Sequence, residues 1–174
     1  MIDKRLKLCA DFVRGKRICD IGTDHAYLVA ELLCEGKCTS AVAADINEGP
    51  LAAARATLEK AGVLDKTDVI LSDGLKNVPE SGITDIVIAG MGGELISNIV
   101  ERATFLRHGG VRLILQPMTK QEMLRERLYK MGYEIEAESY SRDSGKYYVC
   151  MCAKYTGKER VLSRDEIEIC PKDA

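Results

Sequence analysis

The residues best suited to chemistry crowd into one short stretch, Asp20-Ile21-Gly22-Thr23-Asp24-His25-Ala26-Tyr27. An apolar run carrying an acid, then a glycine turn, then a helical pattern is the arrangement that holds a nucleotide-like ligand above a parallel sheet. Asp45 follows Gly22 by roughly the ~20 residues at which an acid ending the second strand accepts hydrogen bonds from ribose hydroxyls. Asp73, before Gly74 and after a third apolar run, is placed to meet an adenine edge. Ala89-Gly90-Met91-Gly92-Gly93 and Leu115-Gln116-Pro117 close two later runs.

The turn at Gly22 lacks the three glycines that admit a pyrophosphate, and it carries carboxylates where phosphates would sit. Like charges there repel a dinucleotide. S-adenosylmethionine instead carries a sulfonium and an ammonium, and Asp20 or Asp24 can pair with the ammonium directly or through water.

Alternating elements must position these residues. An amphipathic helix is expected within residues 3–14, with Leu6, Cys9, Ala10 and Val13 inward. Strands are expected at 17–21, 39–45, 67–71, 84–89 and 111–115, the last stopped at Gln116-Pro117 because proline cannot continue a ladder. Helices are expected from 27 to 35, from Pro50 to Gly62, at 94–102 and at 120–130. Strands at 133–140 and 146–154 then form an antiparallel hairpin, with Tyr147 and Tyr148 read as sheet packing. Five strand-plus-helix units imply a doubly wound, mostly parallel sheet whose ligand lies at the carboxyl ends of strands one and four.

The pattern resembles class I S-adenosylmethionine-dependent methyltransferases, which share a Rossmann-like fold with a seven-stranded sheet ending in an antiparallel hairpin. Asp20 to Tyr27, Ala89-Gly90-Met91-Gly92-Gly93 and Leu115-Gln116-Pro117 together are similar to the bacterial tRNA (adenine-N1)-methyltransferase family that modifies adenosine 22. The resemblance spans about residues 4–154. It implies that Asp20, Gly22, Asp24 and His25 hold the amino-acid part of the cofactor, Asp45 the ribose, and Asp73 with Gly74 the adenine. Ala89 to Met91 occupy the position where amino-methylating relatives carry Asn/Asp-Pro-Pro-Tyr/Phe, a tetrapeptide this chain does not have. Contacts with the target adenine are expected from Asp24, the Gly90 carbonyl, Met91 and Gln116, with Tyr27 as a wall.

Net charge is -2, from 25 basic and 27 acidic residues, which argues against a generally sticky nucleic-acid binder. The bases are unevenly spread. On the tRNA reading, the N-terminal group Arg5, Lys7, Arg14, Lys16 and Arg17 is the expected RNA contact, and Arg102, Arg107, His108 and Arg112 form a second group. A small-molecule or protein acceptor, or a cofactor-binding module without turnover, stays open as an alternative.

The seven cysteines are odd in number and set in apolar patterns, so most are expected as small buried hydrophobes in a reducing compartment. Cys34, Cys38, Cys150 and Cys152 do not have zinc-ribbon spacing, and no metal is expected. No run approaches the roughly 20 apolar residues of a membrane span, and no signal-peptide stretch follows Met1, so the expected location is the cytoplasm. The expected organisation is a methyltransferase domain over residues 1–155, then a polar tail over 156–174 that begins a missing or truncated helical region.

Overall fold

Short runs of Val, Ile and Ala, buried on both faces, build the centre of the molecule, as required where helices cover a parallel sheet from both sides. The computed structural model describes residues 2–108, 110–143 and 145–167; Cys170 lies outside the described residues. The elements run α1 (Lys4–Phe12), β1 (Arg17–Ile21), α2 (Tyr27–Cys34), β2 (Ser40–Asp45), α3 (Glu48–Lys60), β3 (Thr67–Leu71), β4 (Asp85–Gly92), α4 (Gly93–Arg102), β5 (Arg112–Thr119), α5 (Gln121–Lys130), β6 (Tyr133–Asp143), β7 (Lys146–Tyr155) and a short α6 (Arg164–Ile167). All seven strands join one sheet in the order β3-β2-β1-β4-β5-β7-β6. β1 to β5 pair in parallel, while β7 lies antiparallel between β5 and β6. This is the expected Rossmann-like methyltransferase sheet.

Alternation along each strand divides the core. Cys19, Ile86, Ile88, Leu113 and Leu115 face α4 and α5, where Ile96, Val100, Leu124 and Leu128 cover them. Ile18, Ala41, Ala43, Val87 and Ile114 face the other way, under Cys9 of α1, Leu28 and Leu32 of α2, and Leu58 of α3. Strand order reverses between β1 and β4, and the connections part there to leave a crevice at the carboxyl edge.

Two strands outrun their expected ends. β4 continues through Gly90-Met91-Gly92, and β5 passes Gln116-Pro117 to Thr119. Pro117 is tolerated because it stands opposite Met91 at a bulge, where the register shifts on both sides of Met91. The pairing of β5 with β7 has already ended at Leu115 and Met151, so no ladder bond is lost on that side either. The hairpin is also longer than expected. Residues 141–143 belong to its ladder, with Asp143 opposite Lys146.

At the amino edge, Asp85 opens β4 and is fully buried. Its carboxylate accepts hydrogen bonds from the backbone N–H groups of Arg14, at 2.9 Å, and Gly15, and pairs with Arg112 Nε at 2.8 Å. The link between α1 and β1 is thereby tied to β4 and β5. Among the described residues Cys34 is exposed, while Cys9, Cys19, Cys38, Cys150 and Cys152 are buried. Among the same residues there is no group of three His, Cys, Asp or Glu that could hold a metal, and no helix long and apolar enough to cross a membrane.

Candidate active site

A cleft of about 250 Å³ opens beyond the end of β1, floored by Asp20, Gly22 and Thr23 and walled by Arg5, Asp24, His25, Tyr27 and Ala89. The turn that shapes it is tightly bonded. The N–H groups of Gly22 and Thr23 both donate to the Ala44 carbonyl, at 2.9 and 3.0 Å, and Ala26 N–H donates to Thr23 at 2.8 Å. Gly22 takes a left-handed conformation with φ of 71°, and a Cβ added there would stand 2.3 Å from Met91 Cε. Any other residue would be strained in the backbone and would have to push the flexible end of Met91 aside.

Asp20 lies under this turn and is 5% exposed. It shares the sheet face of Ile18, toward α1 and α2, because Cys19 and Ile21 point the opposite way. Burial pushes its carboxyl up to about 6, against the Thr23 hydroxyl, which donates to it at 2.8 Å, and against the nearby Arg5 charge.

Arg5 is the cleft residue whose place the sequence pattern concealed. Expected in a solvent-facing basic group, it instead reaches from α1 over the carboxyl edge. Its Nη1 donates to Gln116 Oε1 at 3.3 Å and its Nη2 pairs with Asp3 at 3.3 Å, while its side chain is 22% exposed. Asp3 in turn caps α1 by accepting from Leu6 N–H at 2.8 Å. Gln116 is fully buried; its Oε1 also accepts from Gly90 N–H at 3.0 Å, and its Nε2 donates to the Pro117 carbonyl at 3.0 Å. Expected to touch a target base, Gln116 is instead occupied in joining α1, β4 and β5 behind the cleft.

Asp45, ending β2, is 9% exposed and accepts from Asn47 N–H at 3.0 Å and Asp24 N–H at 3.4 Å. It therefore borders the cleft at the Asp24 corner. Asp24 itself is exposed, with a left-handed φ of 51°, and lies 3.7 Å from His25 Nε2. The rings of His25 and Tyr27 stack with centroids 5.3 Å apart, forming an exposed aromatic rim. Asp73 and Gly74 are not gathered into this cleft. Asp73 pairs with Arg102 at 3.7 Å across a second cleft of about 260 Å³ beneath α4, where Gly74 packs on Ile99.

The other bases of the N-terminal group stand elsewhere. Lys7 is on the exposed side of α1. Arg14, Lys16 and Arg17 lie at the amino edge of the sheet, where Arg17 pairs with Asp68 at 2.8 Å and the Arg14 guanidinium bonds the Asp11 and Val13 carbonyls. A strand of five residues separates them from Gly22, about 17 Å at some 3.3 Å per residue.

A family model described as a methyltransferase domain matches residues 2–151. The Streptococcus pneumoniae protein Sp1610, solved in complex with S-adenosyl-L-methionine, superposes with a TM-score of 0.90 at 39% identity, covering 98% of this chain and 80% of that one. The Bacillus subtilis M1A22 tRNA methyltransferase TrmK superposes with a TM-score of 0.85 at 36% identity, covering 90% of this chain and 67% of that one. The chain belongs to the bacterial tRNA (adenine-22-N1)-methyltransferase family. In sequence it is 36% identical over 154 residues to the B. subtilis tRNA (adenine(22)-N(1))-methyltransferase, covering 88% of this chain. The chain spans 65% of the length of that curated relative.

Proposed function

We propose that this protein transfers a methyl group from S-adenosylmethionine to N1 of an adenosine, position 22, in tRNA. The observation that carries the reading is the charge pattern of the cleft: a buried acid under a glycine turn on one side and an arginine reaching across from α1 on the other. An α-amino acid presents an ammonium and a carboxylate in that relation. Asp20, with Asp24 beside it, would hold the ammonium and Arg5 the carboxylate. Asp45 would accept from the ribose hydroxyls, and Gly22 leaves room for close approach. His25 would add a contact to the amino-acid end, and Ala89 would line the wall. Asp73 and Gly74 are assigned to the adenine on the strength of the family alone.

S-adenosylmethionine supplies an electrophilic methyl group on sulfur. The acceptor nitrogen carries an in-plane lone pair and is unprotonated near neutral pH, so the protein's main task is alignment rather than proton removal. Adenine N1 is stacked and paired in folded tRNA, and the base must be drawn out and held by its edge. The backbone at Gly90, which lies against Arg5, the Met91 side chain, which lies against Gly22, and Asp24 would take that edge. Gln116 acts as a positioning residue, holding Gly90 and Arg5.

Lys7, Arg14, Lys16 and Arg17 are proposed as phosphate contacts for more distant parts of the tRNA. Residues 1–155 are proposed as the methyltransferase domain, with 156–174 as a tail, and the cytoplasm as the place of action. The deciding experiment is incubation with labelled S-adenosylmethionine and unmodified tRNA, followed by digestion and mass spectrometry of nucleosides. N1-methyladenosine at position 22 is the expected product. Label in protein or small molecules, with none in RNA, would replace the acceptor.

The raised Asp20 pKa gives a second expectation. An ammonium is attracted only to the ionised carboxylate, so cofactor affinity should fall as pH drops below about 6. Binding there should release a proton, seen as a buffer-dependent calorimetric enthalpy. Thr23→Val removes a donor that favours ionisation, so the midpoint should move upward. A flat affinity from pH 5 to pH 7 would take Asp20 out of the ammonium site.

A further inference from the structure

The β6–β7 hairpin outruns the pairing of β7 with β5. β7 pairs with β5 only as far as Leu115 opposite Met151, but its ladder with β6 continues to Asp143 opposite Lys146. From the Leu115–Met151 pair the hairpin ladder runs on about 17 Å, at some 3.3 Å per residue, beside the unpaired end of β5 that reaches Thr119. Because β7 runs antiparallel to β5, it stands on the carboxyl edge, the same edge as Gly22 and Gly90.

The chemistry of that tip is unlike sheet packing. Tyr147 is 50% exposed, and Arg142, directly opposite it, sets its guanidinium carbon 5.2 Å from the ring centroid. Exposed Lys146 adjoins the pair. The root beneath is rigid, since buried Arg125 of α5 holds Glu138 through two bonds of 2.7 and 2.8 Å and also reaches the Tyr140 hydroxyl. On β5, past the last residue paired with β7, Met118 is exposed as well. An aromatic ring ordered by a cation, with a second cation beside it, matches a nucleic-acid strand, which offers flat bases and phosphates in alternation. The chain as a whole is acidic, which makes this local pairing of bases with an open ring more telling.

We propose that the hairpin tip is a single-stranded RNA contact: Tyr147 stacks on a nucleobase neighbouring the target adenosine, and Arg142 and Lys146 hold the flanking phosphates. This rests on tRNA being the substrate. When a base leaves its stack, its neighbour loses a partner, and an exposed ring at the rim replaces it.

The test measures binding of an unmodified tRNA transcript across a range of salt, methylation kinetics, and S-adenosylmethionine affinity by calorimetry. Tyr147→Ala should weaken tRNA binding about tenfold, and Tyr147→Phe should retain it. The double variant Arg142→Ala/Lys146→Ala should lower the salt slope by about 2, one for each phosphate contact. Cofactor affinity should stay unchanged in every variant. Wild-type tRNA affinity and slope in the variants would overturn the tip contact and leave the substrate intact. A wild-type protein that binds no tRNA would overturn both. Loss of self-association in Tyr147→Ala, with tRNA binding retained, would instead make the tip an interface between two copies of the chain.

Discussion

Arg5→Glu should weaken S-adenosylmethionine binding by about 100-fold or more. A hydrogen bond to a charged group contributes about 1.5–3 kcal/mol, and the reversed charge adds repulsion against the cofactor carboxylate. At about 1.4 kcal/mol for each factor of ten, the two effects together reach that loss. The substitution also places a further acid near Asp20 and removes the Arg5 bond to Gln116. Arg5→Lys keeps the charge but not the planar fork that bonds Gln116 and Asp3 and would also take the cofactor carboxylate, so a loss of about tenfold is expected. Calorimetry with S-adenosylmethionine reads both. Unaltered cofactor affinity with weakened tRNA binding would return Arg5 to the RNA surface.

Asp85→Ala should destabilise the fold by about 3–5 kcal/mol, the cost of breaking a buried pair by removing one partner. Two backbone N–H groups, those of Arg14 and Gly15, lose their acceptor, and Arg112 loses its partner. In a domain of this size about 1 kcal/mol shifts the melting midpoint by some 2–4 °C, so a drop on the order of 10 °C is expected. Asp85→Asn keeps an acceptor of the same shape and should cost less than half as much. Because Asp85 stands at the amino edge, cofactor affinity in the folded Asn variant should match wild type. A midpoint within about 2 °C of wild type for Asp85→Ala would mean that water reaches those N–H groups.

The alternation of strands and helices was open to reading because each central strand is a brief apolar run closed by a polar or turn residue, as at Asp45 or Ser72-Asp73-Gly74. The ends of β4 and β5 were not. Glycine and proline read as stops, whereas the register shift opposite Pro117 lets both strands continue. Asp20 and Asp45 announced themselves by their place relative to Gly22. Arg5 did not, since a helical period tells which face is apolar and not which long cation turns toward a glutamine 111 residues away. Asp85 was hidden in the same manner: an acid at the first residue of a strand looks solvated until the chain from α1 is laid across it. Tyr147 shows a third kind of concealment, because it lies beyond the point where β7 stops pairing with β5, and a strand pattern does not show where pairing stops.

The insertion of β7 between β5 and β6 also bears on the order in which a growing chain can complete itself. α1 precedes every strand in the chain, yet it rests on β7, β5, β6 and β4, and Cys9 meets Cys150 Sγ to Sγ at 3.6 Å across 141 residues of sequence. Until residues 146–155 have left the ribosome, β5 and β6 lack the strand that joins them, and the first helix has no complete platform. A helix made before every strand of the sheet therefore docks late. Arg5 travels with it, so the ligand cleft acquires its positive wall only when nearly all of the domain has been translated.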